Sequence, residues 1–385
     1  MPSLVLNFAY GTGPFLRTVE LALAINDCLE QAGRARFKIL VPWVYGEKQK
    51  QIMREEFGEI IDRKPEEILL EKALGNYLKS FFFGEKNYEA SLEYYLDNYR
   101  KLQETIESHF ANGLTGVTFS GQVVPIAKKD IALSIARAPR VSFPVKPAYY
   151  TSFAYISEIL EHSLYEEKIA VSKTLLKKVI PLYKEIEDRF ALHFIAEPGT
   201  FSYLGERPLR YQSEISTPPN AALPPRPDCR RIEKGLYVTV TGIPGLDHLF
   251  REASKIGLQI YTNKPDLFPG SRKASPGIIG CRNILLHLAR SGWGAVWLSL
   301  FHLVPFITPE YDKDDDPEIY FNNLCLEKMG LGQTYRGQPL QELLEFGREY
   351  RKNAEDVKES LIEKYGTLDG LKYTAQKIIE HYSNL

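Results

Sequence analysis

Residues 275–332 read SPGIIGCRNILLHLARSGWGAVWLSLFHLVPFITPEYDKDDDPEIYFNNLCLEKMGLG. The turn Ser275-Pro276-Gly277, with Gly280 beyond it, is expected to lead into a helix over Arg282–Ser291. Gly294–Leu298 reads as strand-like, and the apolar segment ends in Pro305-Phe306-Ile307. An acidic loop follows, then Asp316-Pro317-Glu318 at the start of a helix, the pair Asn322-Asn323, and Gly330-Leu331-Gly332.

The same alternation runs through the rest of the chain. Strands are expected at Ser3–Ala9, Phe37–Val41, Thr115–Phe119 and Arg140–Phe143, with helices at Phe15–Ala32 and near Lys128–Ala138. A polar helix over Asn87–Phe110 is expected to cover the sheet, with a lid or acceptor-side helix as the alternative. Helical patterns return at Phe153–His162 and Glu166–Phe190, followed by a short strand at His193–Ala196. Gly235–Thr241, Leu246–Ile256 and Leu258–Thr262 then restart strand, helix and strand. Strands alternating with helices argue for parallel βαβ units. Between the halves lies Ser216–Pro227, STPPNAALPPRP, whose five prolines exclude regular structure. The expected organisation is a first domain at 1–215, a Pro-rich linker at 216–228, a second domain at 229–340 and a helical segment at 341–385.

Bulk properties narrow the function. The chain has 385 residues, 48 basic against 49 acidic, and a net charge of −1, so it lacks the basic excess of a nucleic-acid binder. Two domains are the default at this length. The four cysteines, Cys28, Cys229, Cys281 and Cys325, have no metal-ligand spacing. They are expected to be reduced, buried thiols of a cytosolic protein. The start, MPSLVLNFAY, lacks the basic and apolar regions of a signal peptide, and no apolar run reaches membrane-spanning length.

Three glycine turns stand where βα units hold ligands. Gly11-Thr12-Gly13-Pro14 links the first strand to the first helix, whose N-terminus presents free amides and a positive dipole. Leu16 occupies the place of the third glycine in a dinucleotide fingerprint, so a simple cofactor-binding Rossmann site is disfavoured. Thr241-Gly242 opens the second turn. Ser275, Gly277 and Gly280 form the third, with a helix N-terminus expected to follow and cradle a diphosphate. Asp312–Asp315 reads as a solvated loop, with a divalent-metal site as the alternative. Asp316 and Glu318 are placed to accept hydrogen bonds from sugar or ribose hydroxyls.

Taken in order, these motifs resemble the GT-B glycosyltransferases. The nearest subgroup is that of the bacterial lipid-II N-acetylglucosaminyltransferase and the diacylglycerol galactosyltransferases. The resemblance implies an α/β fold of two Rossmann-like domains facing a cleft, with a C-terminal helical segment crossing back. It implies a nucleotide diphosphate-sugar donor, UDP-sugar in kind, with the base near Phe306 and Ile307 and the diphosphate over Gly277–Gly280. Asp316, Glu318 and Asn322 would lie near the sugar. It further implies that no metal or other cofactor is required. The acceptor would be a small molecule, glycan or lipid hydroxyl, in a cytoplasmic protein open to peripheral membrane contact.

The chain departs from that pattern where a base is expected, because Pro14-Phe15 follow the first glycine turn in place of a histidine. Candidates for a displaced base are Glu197 and His193, while His109, ending a helix, reads as structural. Gly11, Thr12, Gly13, Arg17, Ser120 and Gln122 are the acceptor-side candidates. Tyr149-Tyr150 and Phe81-Phe82-Phe83 read as core, with an acceptor pocket or membrane patch as the alternative. The departures keep two other functions open, a non-catalytic binding or scaffolding protein and a sugar-nucleotide epimerase.

Overall fold

The structure, a computed structural model, describes residues 2–9, 11–81, 87–205, 207–222, 228–239, 246–265 and 270–383. Contacts divide the chain into two compact units. The first comprises Met1–Ala196, Leu209–Asn220 and Gly370–Leu385, and the second Glu197–Pro208 and Ala221–Asp369.

The first unit is built on a nine-stranded sheet. Its strands are β1 (Ser3–Phe8), β2 (Lys38–Pro42), β3 (Ile68–Glu71), β4 (Leu114–Val117), β5 (Val123–Ile126), β6 (Ile131–Arg137), β7 (Ala148–Ser152), β8 (Leu192–Ala196) and β9 (Glu214–Thr217), in the order β5-β4-β3-β2-β1-β6-β7-β8-β9. All pairs are parallel except β3–β4 and β4–β5. Every residue of β1 is buried, as expected of a strand covered on both faces. The helices are α1 (Thr12–Gln31), α2 (Glu47–Arg63), α3 (Lys72–Lys79), α4 (Tyr88–Ala111), α5 (Ile156–Ser163) and α6 (Lys173–Glu187). The last helix of the chain, Gly370–Ser383, returns to this unit and packs along α1. Gly370 permits that return, because a Cβ there would stand 2.2 Å from the Pro218 carbonyl oxygen.

The second unit is a six-stranded, wholly parallel sheet. Its strands are β10 (Gly235–Val238), β11 (Gln259–Thr262), β12 (Arg272–Lys273), β13 (Ile284–Leu288), β14 (Phe306–Pro309) and β15 (Gln333–Tyr335), in the order β12-β11-β10-β13-β14-β15. Its helices are α7 (Asp247–Lys255), α8 (Trp293–His302), α9 (Pro317–Met329) and α10 (Leu340–Tyr365); the returning helix is therefore α11. The sequence specifies α9 at both ends. Asp316 caps it, Pro317 fills the first position, and Gly330 closes it in the left-handed conformation at φ 62°.

Several local expectations are corrected. Arg282–Ser291 is not a helix: Ile284–Leu288 is the central strand β13, and the strand-like Gly294–Leu298 lies inside helix α8. A short apolar run does not distinguish strand from helix by period, and the choice falls to pairing, since β13 fills the place beside β10. For the same reason Lys128–Ala138 is chiefly strand β6, paired along all of β1, while Arg140–Phe143 is loop. Cys229 and Cys281 are not free thiols but form a disulfide. The turn before β13 brings Cys281 to the short 3-10 turn at Cys229–Arg231, a pairing 52 residues apart that spacing alone does not announce. Cys28 and Cys325 are not in a disulfide. Among the described residues, no helix is long and apolar enough to cross a membrane.

Candidate functional site

In the second unit strand order reverses between β10 and β13. Open parallel sheets bind ligands beyond the C-terminal ends of such a pair, where two connections leave in opposite directions. Three segments arrive there: Thr239 after β10, Ala289–Gly292 after β13, and Thr308-Pro309 at the end of β14. Helix α8 begins at this edge with Gly292 as N-cap, no side-chain cap and no acidic residue in its first turn. Its leading amides have no intrahelical acceptors, and the dipole makes them attractive to an anion. A Cβ added at Gly292 would meet nothing within 4 Å, so a ligand has room to approach the backbone.

A buried asparagine fixes this edge. Asn322 is fully buried. Its Oδ1 accepts from Trp293 Nε1 at 2.8 Å and Thr200 Oγ1 at 2.9 Å, and its Nδ2 donates to the Ser291 carbonyl at 2.8 Å and to Glu318 Oε1 at 3.0 Å. One side chain on α9 thereby ties together the loop before α8, the first residue of α8 and the Glu318 carboxylate. Next to it, Asn323 joins Thr308 Oγ1 at 3.2 Å and the Pro309 carbonyl at 2.9 Å, fixing the end of β14. Below the edge, His287 bridges Thr239 Oγ1 at 3.1 Å and Ser299 Oγ at 2.7 Å. Burial pushes its pKa down to about 3, so it is a neutral brace.

Charge at the edge comes from Arg290, whose guanidinium pairs with Asp315. Asp315 is therefore not part of a freely solvated run. Burial raises its carboxyl above the usual aspartate range even though Arg290 opposes the shift. Asp316 spends its carboxylate on capping, with Oδ1 accepting from the Glu318 amide at 3.0 Å. Among the described residues there is no cluster of three or more His, Cys, Asp or Glu able to hold a metal ion.

The donor-side residues named from the sequence thus divide. Glu318 and Asn322 meet at the switch-point edge, with Asp316 capping beside them. Phe306 and Ile307 are buried in the core, at 0% and 1% exposure, and only the strand end beyond them faces outward. Ser275 leaves the C-terminal end of β12, two residues beyond Lys273, which pairs with Thr262 at the end of β11, and the turn then carries Gly277 and Gly280 toward the start of β13. Their 3-10 turn, Pro276–Gly280, precedes β13, and a Cβ on Gly280 would stand 3.0 Å from the ring of His302, the last residue of α8. No α-helix follows that turn directly; β13 comes next, and the next helix N-terminus is that of α8. Thr241 and Gly242 lie outside the described residues. The signal overlooked in the sequence is Ser291-Gly292-Trp293, a strand–Gly–helix junction one element further on.

In the first unit the corresponding reversal is between β1 and β6. Gly11, at φ 118°, is the N-cap of α1 and donates its amide to Tyr45 Oη at 2.7 Å. Thr12 and Gly13 are exposed in an uncapped first turn without acidic residues. Arg17 pairs with Glu20 at 2.6 Å. Ser120 and Gln122 do not join them. β4 runs antiparallel to β3, so the β4–β5 turn carrying both residues falls at the N-terminal edge of the parallel strands. There Thr118 Oγ1 lies 2.9 Å from Ser120 Oγ and accepts the Gln122 amide at 3.0 Å.

Both expected bases are engaged by neighbouring groups. His193 is buried near the start of β8, with Nδ1 2.8 Å from Ser213 Oγ and Nε2 2.8 Å from the Glu187 carbonyl, its ring stacked on Tyr211 at 4.1 Å. Burial holds its pKa below the ordinary histidine value. Glu197 receives Lys364 Nζ and Tyr365 Oη, each at 2.7 Å. His109 is different. Its Nε2 lies 3.2 Å from Oε1 of Glu71, which ends β3 in register with Pro42, the last residue of β2. Nδ1 has no hydrogen-bond partner among the described residues, and the ring lines a cavity of about 460 Å³ with Tyr77, Lys101, Glu104 and Ser108. Tyr149, Tyr150 and Phe81 are core residues, while Phe82 and Phe83 lie outside the described residues.

No family model and no curated protein matches the sequence. Solved structures do match over essentially the whole chain. A UDP-glucosyltransferase from Polygonum tinctorium capable of glucosylating indoxyl aligns with 100% of this chain and 99% of its own, at 12% identity and a TM-score of 0.60. The fold is GT-B. UGT2 of Phytolacca americana, solved with UDP-2fluoro-glucose and pterostilbene, gives 10% identity and a TM-score of 0.58, covering 100% and 99%. The calicheamicin glycosyltransferase CalG4 gives 14% and 0.56, covering 99% and 98%. At such identities the likeness carries the GT-B architecture, with its two parallel-sheet units and returning C-terminal helix.

Proposed function

We propose that this GT-B chain transfers a sugar from a nucleotide diphosphate-sugar, UDP-linked as in the complexes of its structural neighbours, to an acceptor hydroxyl. The acceptor is a small molecule, glycan or lipid. The observation that carries this reading is the uncapped N-terminus of α8 at the switch point, flanked by Arg290 and by a Glu318 carboxylate held in place through Asn322. The diphosphate sits over the amides of Trp293 and Gly294, and Glu318 accepts hydroxyls of the sugar or ribose. The acceptor enters the C-terminal edge of the first unit, near Gly11, Thr12 and Gly13. Its hydroxyl loses a proton to His109, the oxygen bonds to the anomeric carbon, and the bond from that carbon to the diphosphate breaks with its electron pair leaving on phosphate. Preorganised amides and Arg290 meet that charge as it develops.

Isothermal calorimetry tests the binding half. UDP is expected to bind well above uridine in affinity, because only UDP engages the α8 amides, and equal binding of the two or none would refute the assignment. Binding of UDP-sugars without hydrolysis or transfer to any acceptor would favour a non-catalytic GT-B protein, the reading to which Phe15, fully buried where a base is expected, lends weight.

A further inference from the structure

We propose that Asp315 is an internal counter-ion for Arg290, exchanged for the diphosphate when the donor binds. The inference rests on the nucleotide site proposed above and concerns how that site discriminates. Arg290 leaves the end of β13 two residues before the α8 N-cap, and its carbonyl accepts the Gly292 amide at 2.7 Å. Its Nη2 donates to Asp315 Oδ1, yet its buried Nε has no partner among the described residues. A guanidinium fork suits two parallel hydrogen bonds to one oxyanion, and here one prong is unused. The carboxylate uses its same Oδ1 to accept the Asp316 amide at 2.7 Å. Asp315 thus holds Arg290 by a single oxygen where a phosphate would present several.

The surrounding loop supplies the reason for an exchange. Glu310, Asp312, Asp314 and Asp316 stand on the same β14–α9 connection, and Lys313 is its basic member. Unpaired, these carboxylates would oppose a diphosphate at the α8 N-terminus. Paired, Asp315 keeps Arg290 in place and neutral overall until an anion of higher charge and better geometry competes. Tyr311 Oη donates to the Asp315 carbonyl at 3.2 Å and the Asp315 amide donates to the Asp312 carbonyl at 2.9 Å, so the backbone stays anchored while the side chain turns away. An uncharged ligand such as uridine gives no reason for exchange.

A mutant cycle read by calorimetry decides this. Asp315→Asn is expected to tighten UDP binding by about two- to five-fold, the range of a partly exposed ion pair, and to leave uridine affinity unchanged. In an Arg290→Gln background the same Asp315→Asn change is expected to have no effect on UDP, because the competition no longer exists. If Asp315→Asn does not fold, Asp315→Ser completes the same cycle. UDP binding to the wild type that is unchanged or weakened by the Asp315 substitution, or tightened equally with and without Arg290, would overturn the exchange while leaving the nucleotide site standing. Failure of the wild type to bind UDP would remove the site itself.

Discussion

Asn322→Ala is expected to destabilise the second unit by about 3–5 kcal/mol and to weaken UDP binding at least tenfold. The side chain is fully buried and makes four hydrogen bonds. Its removal takes the Nδ2 donor from the Ser291 carbonyl and the Oδ1 acceptor from the buried Thr200 hydroxyl, and each stranded buried group costs about 1–3 kcal/mol. Trp293 Nε1 keeps Thr200 Oγ1 at 3.1 Å, which limits the loss. The binding effect follows from the same contacts, since Asn322 sets both the loop before α8 and the orientation of Glu318. Asn323→Ala, which breaks only two bonds at the end of β14, is expected to cost less. Chemical denaturation with calorimetry checks both. A loss below about 1 kcal/mol for Asn322→Ala would show that the edge is held by other means.

His109→Ala is expected to lower sugar transfer by about 10²–10⁴-fold, the usual contribution of a positioned general base, with UDP affinity unchanged. The buried Glu71 carboxylate, at 1% exposure, orients the imidazole and stabilises the imidazolium that forms, as the carboxylate of a nucleophile–base–orienter set does. Glu71 also caps α3 by accepting the Leu74 amide, so Glu71→Gln, which keeps an acceptor oxygen, is the informative change. It is expected to slow transfer by about tenfold or more without unfolding the helix. Steady-state kinetics with donor and acceptor varied separately gives the test. Transfer that survives His109→Ala within threefold would return the proton to another group, and Glu197→Gln would then be the next variant.

Much of the architecture was legible where local chemistry is decisive. Asp316-Pro317 and Gly330 mark both ends of α9 by capping alone, and the buried apolar run of β1 followed by Gly11 marks the first βα unit. The sequence failed where two neighbouring apolar runs compete. ILLHL and WGAVWLSLFH are both short and rich in large side chains, and Gly292 between them is the N-cap of α8. Exchanging their types placed the helix N-terminus before the run ILLHL, whereas it follows that strand. Ser120 and Gln122 were misplaced for a similar reason, because strand direction is a property of pairing. Thr200 joins Asn322 across 122 positions, and Glu71 joins His109 across 38; neither partnership has a local signature.

A crystal structure with UDP tests the central claim most directly. The diphosphate is predicted to lie within hydrogen-bonding distance of the Trp293 and Gly294 amides, with Arg290 turned from Asp315 toward phosphate and Glu318 facing the ribose or sugar side. A diphosphate seated instead over Pro276–Gly280, or away from the C-terminal edge of β13, would contradict it.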